Sequence, residues 1–160
     1  AVILGEVTIR QRERRFTLPR QPQTALEVAM GDFAHLVGVD VSRSTLAPGE
    51  TFEVTLYTQA TGTADRDYTV FVHVVGPDGR TWAQSDSWPE RGGAPTTSWV
   101  AGQIVVDTHT LTMAADAPAG VYTVFVGLYD AERGPRVPLC DATGALITDG
   151  RAPVQTVTVR

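Results

Sequence analysis

The chain has 160 residues, a net charge of −5, one cysteine, and neither lysine nor asparagine. That length can bury a core without covalent staples, and a lone cysteine cannot form an internal disulfide. The acidic balance excludes a general nucleic-acid binder, no run is apolar enough to cross a bilayer, and the absence of asparagine removes every N-glycosylation sequon.

From the N-terminus, Val2 to Ile9 alternates weakly and predicts a first strand, and five arginines between Arg10 and Arg20 follow as a solvated edge. Pro19 and Pro22 break the chain, so 20–23 reads as a turn before a short alternating run at Leu26, Val28 and Met30. The segment from Ala34 to Val41 predicts a strand with His35, Val37, Val39 and Val41 on one side, and Leu46-Ala47-Pro48-Gly49 is a turn. Thr51 to Thr58 alternates most cleanly, with Phe52, Val54 and Leu56 opposite Glu53 and Thr55.

After a polar loop, Tyr68 to Val75 is apolar on both faces. Gly76-Pro77-Asp78-Gly79 then predicts a tight turn into a partner strand from Arg80 to Gln84. A long irregular stretch from Ser85 to Gly102 carries Trp88 and Trp99, and loops of that length are functional or pinned by large side chains. Ile104 to Met113 is strand again. The organising element is Asp116 to Asp130: a turn at Ala117-Pro118-Ala119-Gly120, then a strand placing Tyr122, Val124, Val126 and Leu128 on one face and Thr123, Phe125 and Tyr129 on the other. A hairpin loop at 131–134, a short strand from Arg136 to Leu139, a polar loop from Asp141 to Arg151 and a last strand from Val154 to Val159 complete the chain.

No stretch has a helical period over a useful length. Short strands at this spacing predict an all-β fold, an antiparallel immunoglobulin-like β-sandwich with a jelly roll as runner-up. Gly120-Val121-Tyr122 fits a tyrosine corner, although Val124 stands where antibody domains carry the second cysteine. One domain over 1–160 is expected, its N-terminal strands and linker (1–32) packing on the sandwich (33–160).

The runs "LAPGETFEVTLY", "YTVFVHVVGPDGRTWAQSD", "PTTSWVAGQIVVDTHTLTM" and "DAPAGVYTVFVGLYD" carry a resemblance. In that order they resemble the β-sandwich domain that follows the membrane helices in bacterial multi-span glycosyltransferases related to protein-mannosyltransferases. The similarity spans roughly residues 33–139, and "ILGEVTIRQRERRFTLP" resembles the lead-in of those domains. The chain holds no transmembrane helix, and none of the acidic loop residues those enzymes use in catalysis can be matched. The resemblance therefore implies an accessory piece on the extracytoplasmic face of a bacterial membrane, with transferase activity residing in a part not present.

Several constellations invite chemistry. Asp107 and His109, two apart on a strand, share a face at a spacing metal sites use, and His73 is a third ligand only by assumption; the plainer reading is a carboxylate accepting loop amides beside a packed ring. Ser85, Ser87 and Ser98 lack the strand–turn–helix elbow of a nucleophile, and a Ser-His-Asp set is easily imagined by chance. Cys140 has no helix start or basic partner to activate it and reads as a core or rim residue. Asp86, Glu90 and Asp107 can be posed as a glycosidase carboxylate pair whose separation sequence cannot supply. No glycine-rich phosphate loop is present.

The stronger hint is physical. If Tyr68 to Val75 pairs with the organising strand, then Phe71, His73, Phe125 and Tyr129 crowd one outer face, and such a face should not stay in water. The expected cover is the N-terminal strands or the Trp88–Trp99 loop; the sharper candidate is a sugar or a partner domain. The expectation is a non-catalytic domain that needs no cofactor and partners a glycan or the membrane-embedded part of its own chain, with Trp82, Asp86, Trp88, Arg91 and Trp99 as ligand-binding residues. A stand-alone carbohydrate-binding module is the alternative. A metal-assisted hydrolase built on Asp107, His109 and His73 is the third reading.

Overall fold

In a computed structural model of the chain, residues 13–160 are described. The expected strand over 2–9 lies outside the described residues. The strands are β1 (Thr24–Met30), β2 (Ala34–Val41), β3 (Thr45–Leu46), β4 (Thr51–Ala60), β5 (Thr69–Val75), β6 (Thr81–Ser87), β7 (Ile104–Thr112), β8 (Gly120–Tyr129), β9 (Leu139–Cys140) and β10 (Ala152–Val159). They form two five-stranded sheets, ordered β7-β4-β2-β1-β9 and β3-β10-β8-β5-β6. Every pairing is antiparallel except that of β3 with β10. This is the all-β sandwich that the strand spacing predicts.

The period-2 rows meet in the middle. Phe52, Val54 and Leu56 of β4, Val72 and Val74 of β5, and Tyr122, Val124, Val126 and Leu128 of β8 are each 2% exposed or less, so the alternation assigns their faces correctly. The Tyr122 hydroxyl donates to the Pro118 carbonyl at 2.6 Å, tying β8 to the turn before it as a tyrosine corner does. At the expected hairpin, the Gly79 amide donates to the Gly76 carbonyl at 3.0 Å, with Gly79 at φ +79°.

Three local expectations change. In β2 the pairing with β4 shifts register between Leu36 and Gly38, so Leu36, Val39 and Val41 are buried while His35 and Val37 stay partly exposed. A bulge inserts one residue and flips the side-chain phase, which strict alternation cannot anticipate. The short strand expected at 136–139 sits later, at Leu139–Cys140, where it pairs with β1; Arg136 makes only an isolated bridge to Tyr129. The strand after the Gly76–Gly79 turn runs on to Ser87, so Ser85 and Asp86 belong to β6 and not to the loop.

β6 and β7 are edge strands of different sheets on the same side of the sandwich. The connection between them, containing short 3-10 turns at Pro89–Gly92 and Thr96–Ser98, caps that end. Thr96 anchors it: the fully buried hydroxyl donates to the Arg66 carbonyl at 2.6 Å and accepts from the Tyr68 amide at 3.0 Å. The β4–β5 and β6–β7 connections are thereby locked together beneath the surface described next.

Candidate functional site

The outer face of β5 and β8 does gather the rings expected of it. Phe71 and His73 point out from β5, with ring centroids 4.7 Å apart, and Tyr129 of β8 lies 6.1 Å from Phe71. Phe71 is nevertheless only 1% exposed. Among the described residues the expected covers lie elsewhere: β1 is an integral strand of the opposite sheet, and the 88–99 connection caps the end of the sandwich, while the expected strand over 2–9 lies outside the described residues. The segment following β8 lies across the face instead. The Arg136 guanidinium carbon sits 4.6 Å above the Phe71 ring, and that of Arg151 sits 4.1 Å above Phe125.

Glycine makes this close approach fit. Gly127 pairs directly with Phe71 in the ladder; a β-carbon there would overlap the Phe71 ring tip and lie 2.5 Å from the Gly150 carbonyl oxygen. The bare position lets the phenylalanine ring lean over β8 and lets the 148–150 turn dock on top. Arg136 is fixed by an Nη1 hydrogen bond to the Asp149 carbonyl at 2.8 Å.

Three clefts adjoin at this end of the molecule. The first, about 260 Å³, is lined by Phe71, His73, Asp86, Tyr129, Gly134 and Arg136. In it the Tyr129 hydroxyl donates to Asp86 Oδ2 at 2.9 Å, and His73 Nε2 lies 3.5 Å from Asp86 Oδ1. Burial lowers the His73 pKa, and the Arg136 and Arg151 charges add to that effect while Asp86 opposes it. Burial raises the Tyr129 pKa, with the Asp86 carboxylate reinforcing it.

The second cleft, about 580 Å³, shares Arg136 and adds Phe33, Asp65, Arg66, Tyr68, Asp130 and Arg133 among its walls. Its floor is a near-parallel stack of Phe33 and Tyr68, 5.5 Å apart at 5°. Arg66 Nη1 reaches Asp130 Oδ2 at 3.4 Å, while Asp130 Oδ1 accepts the Glu132 and Arg133 amides. The third cleft, about 340 Å³, is bounded by Trp88, Asp67, Thr97 and Glu132 and shares Asp65, Arg66 and Asp130 with the second. Trp88 is 45% exposed there, unusual for so large an apolar ring.

Of the five expected binding residues, Asp86 and Trp88 therefore line this surface. Trp99 does not: it is 2% exposed, packs at 6.1 Å from Phe33 and donates its indole N–H to the Ala94 carbonyl at 2.8 Å, so it belongs to the core. Trp82 sits six residues before Trp88 along β6, about 20 Å away at strand rise, with its indole N–H on Asp78 Oδ1 at 3.0 Å. Arg91 is exposed in the 89–92 turn at φ +56° and lines none of the three clefts. The tryptophans do not share one patch.

The expected third metal ligand is also misplaced. His73 faces outward from its sheet, whereas His109 and Asp107 are buried between the sheets, 2% and 4% exposed. Strand parity separates them: Val72 and Val74 take the inward positions of β5, which leaves His73 outside. Among the described residues no group of three or more His, Cys, Asp and Glu side chains is arranged to hold a metal ion.

One arrangement treated as chance in the sequence is real in the structure. Ser85 Oγ lies 2.9 Å from His109 Nδ1, and His109 Nε2 lies 2.7 Å from Asp107 Oδ2. Asp107 Oδ1 accepts the Glu90 amide at 2.8 Å, within a turn where Glu90 and Arg91 both adopt left-handed φ of +53° and +56°. The row bridges the two sheets and holds the strained turn by its backbone. Neither Ser85 nor His109 lines any of the three clefts, so the row performs the amide-accepting task expected of Asp107 and serves as a clasp.

The residues that sequence reasoning missed are mostly arginines: Arg66, Arg133, Arg136 and Arg151. Gly127 is the signal that could have found two of them. A glycine inside an otherwise bulky strand marks a close approach, and the next loops each contain an arginine able to cover an aromatic face.

No protein-family model and no curated protein sequence matches the chain. Among solved structures, the fold is similar to the C-terminal domain of wzt, with a TM-score of 0.59 and 12% identity over 88% of this chain and 82% of that one. Weaker similarities include a CARDB domain of the PF1109 protein from Pyrococcus furiosus (TM-score 0.43, 12% identity, 82% and 93% covered). Another is a type II cohesin domain from the cellulosome of Acetivibrio cellulolyticus (TM-score 0.32, 12% identity, 86% and 95% covered). At these identities the likeness establishes the sandwich fold alone.

Proposed function

We propose that this chain is a non-catalytic accessory domain that binds glycan at the end of the sandwich bearing Trp88, Tyr68 and Tyr129. In this reading it stands on the extracytoplasmic face of a bacterial membrane and presents or docks the acceptor for a membrane-embedded glycosyltransferase portion of the same protein. The carrying observation is the run of three adjoining clefts in which rings alternate with carboxylates: Trp88 and Tyr129 beside Asp65, Asp86 and Asp130. Aromatic faces stack on pyranose rings while carboxylates accept sugar hydroxyls, which is the chemistry a glycan needs. The strand order also accords with an immunoglobulin-like sandwich, in which end loops carry recognition.

The stand-alone carbohydrate-binding module shares this surface and is favoured by the same exposed Trp88. The two readings divide on what adjoins the domain: hydrophobic spans in the full-length gene support the first, and their absence supports the second. Binding itself is tested by glycan-array screening followed by tryptophan-quench titration. A hit that quenches fluorescence and is lost in Trp88→Ala, but kept in Trp82→Ala, supports the assignment. No binding to any glycan, or binding indifferent to Trp88, rejects it.

A further inference from the structure

The 260 Å³ cleft carries a charge pattern that an ordinary neutral-sugar site does not need. Arg136 and Arg151 rest on the faces of Phe71 and Phe125, and among the described residues neither forms an ion pair with a carboxylate. Arg136 lines the cleft itself, whereas Arg151 sits beside it, over Phe125, which pairs directly with the cleft residue His73 across the β5–β8 ladder. The one acid in the cleft, Asp86, is engaged through Oδ2 by the Tyr129 hydroxyl at 2.9 Å. Counting Arg151 at its margin, two guanidiniums face one carboxylate, a local charge of +1 on a protein whose net charge is −5.

Parking a guanidinium on a ring leaves its in-plane N–H donors unspent. Arg136 spends one Nη1 donor on the Asp149 carbonyl at 2.8 Å, which leaves donors on the remaining nitrogens. A guanidinium with a free edge matches a carboxylate or phosphate, and the stacking on the ring orients that edge before any ligand arrives.

We infer that this cleft is the subsite for an acidic substituent, a carboxylate or phosphate carried on the glycan, held by Arg136 and Arg151 while Asp86 accepts a hydroxyl of the same residue. This rests on the glycan-binding reading above and assigns the ligand class within it. The opposed charges fix direction: the anionic group must point toward Arg136 and Arg151, because Asp86 repels it from the β6 side.

The test uses the full chain and matched probes: a tetragalacturonate, its methyl-esterified form, and a mannose 6-phosphate disaccharide beside its unphosphorylated counterpart. Titrations run at low and at about 150 mM salt, where the screening length is ~8 Å. The acidic member of at least one pair should bind about tenfold tighter than its neutral partner, the uronate and phosphate arms showing which acid is preferred. Salt should weaken the preference, and Arg136→Met, which keeps apolar cover on Phe71 and removes the charge, should abolish it. Because that variant could unsettle the 148–150 turn, Arg151→Gln and the salt titration of the unaltered protein provide independent readouts. Neutral and acidic partners binding equally, with no effect of either arginine, overturns the acidic subsite and leaves glycan binding standing. Failure of every probe and every array glycan rejects the glycan reading itself.

Discussion

Two tryptophans eleven residues apart in the same connection provide a sharp separation of folding from recognition. Trp99 is 2% exposed, contacts the Phe33 ring and spends its indole N–H on the Ala94 carbonyl. Trp99→Ala removes a buried bicyclic ring and strands the Ala94 carbonyl, a change that costs about 3–5 kcal/mol in packing alone. Against a total stability of about 5–15 kcal/mol, that is a large share. With a melting shift of about 2–4 °C per kcal/mol for a domain of this size, the melting temperature should fall by roughly 6–20 °C. Trp88, 45% exposed, keeps much of its surface in water, so Trp88→Ala should change stability by about 0.5 kcal/mol or less and the melting temperature by about 2 °C. Thermal denaturation followed by circular dichroism and by calorimetry measures both. Equal losses from the two substitutions, or an unshifted Trp99→Ala, would refute the division into a core ring and a surface ring.

Three further outcomes follow from the same packing. Gly127→Ala forces a methyl group into the Phe71 ring tip and to within 2.5 Å of the Gly150 carbonyl, so a loss of about 1–3 kcal/mol in urea unfolding is expected; an unchanged midpoint would contradict the packing described. Asp107→Ala leaves the buried His109 ring and the Glu90 amide without their acceptor, at about 1–3 kcal/mol for each unsatisfied group, and should raise hydrogen exchange across residues 88–93. Unaltered exchange there would remove the clasp role. For His73 the folded state favours the neutral ring: burial lowers its pKa from 6.5, Arg136 and Arg151 from the covering segment lower it further, and Asp86 of β6 opposes. A depressed folded value means that the stability it contributes is complete above pH 6.5 and drains as pH falls through that lower value. Melting temperature should therefore decline from pH 7.5 toward 5, and the decline should shrink in His73→Gln; a parallel decline in that variant would show that other groups carry it.

The sandwich was legible because its strands obey one rule. Where Phe52, Val54 and Leu56 or Tyr122, Val124 and Val126 alternate, a single buried face explains them, and the turn chemistry at Gly76–Gly79 and Pro118–Gly120 marks where each row ends. The rule failed at β2, where an inserted residue reversed the phase; Gly38 at the shift is the mark of a bulge, but strict alternation does not weigh it. The crowded outer face of Phe71, His73, Phe125 and Tyr129 was also legible, as was the need for a cover. What covers it was not. Local pattern shows which face is apolar, whereas the return of Arg136 and Arg151 across it depends on where two loops travel in space. The same limit separates the tryptophans: type and spacing are alike for Trp88 and Trp99, and only the tertiary path of the 88–103 connection buries one and exposes the other. Ser85, His109 and Asp107 meet for a comparable reason, since β6 and β7 belong to different sheets and no sequence spacing brings their edges together.

Amide chemical-shift mapping with an array-selected glycan tests the recognition surface most directly. The perturbed amides should cluster at residues 65–68, 86–88 and 129–136, and leave the β3–β10 edge and the Trp82 turn unmoved. Shifts centred on Trp82, or spread over the outer face of β4 and β7, would place recognition elsewhere and contradict the assignment.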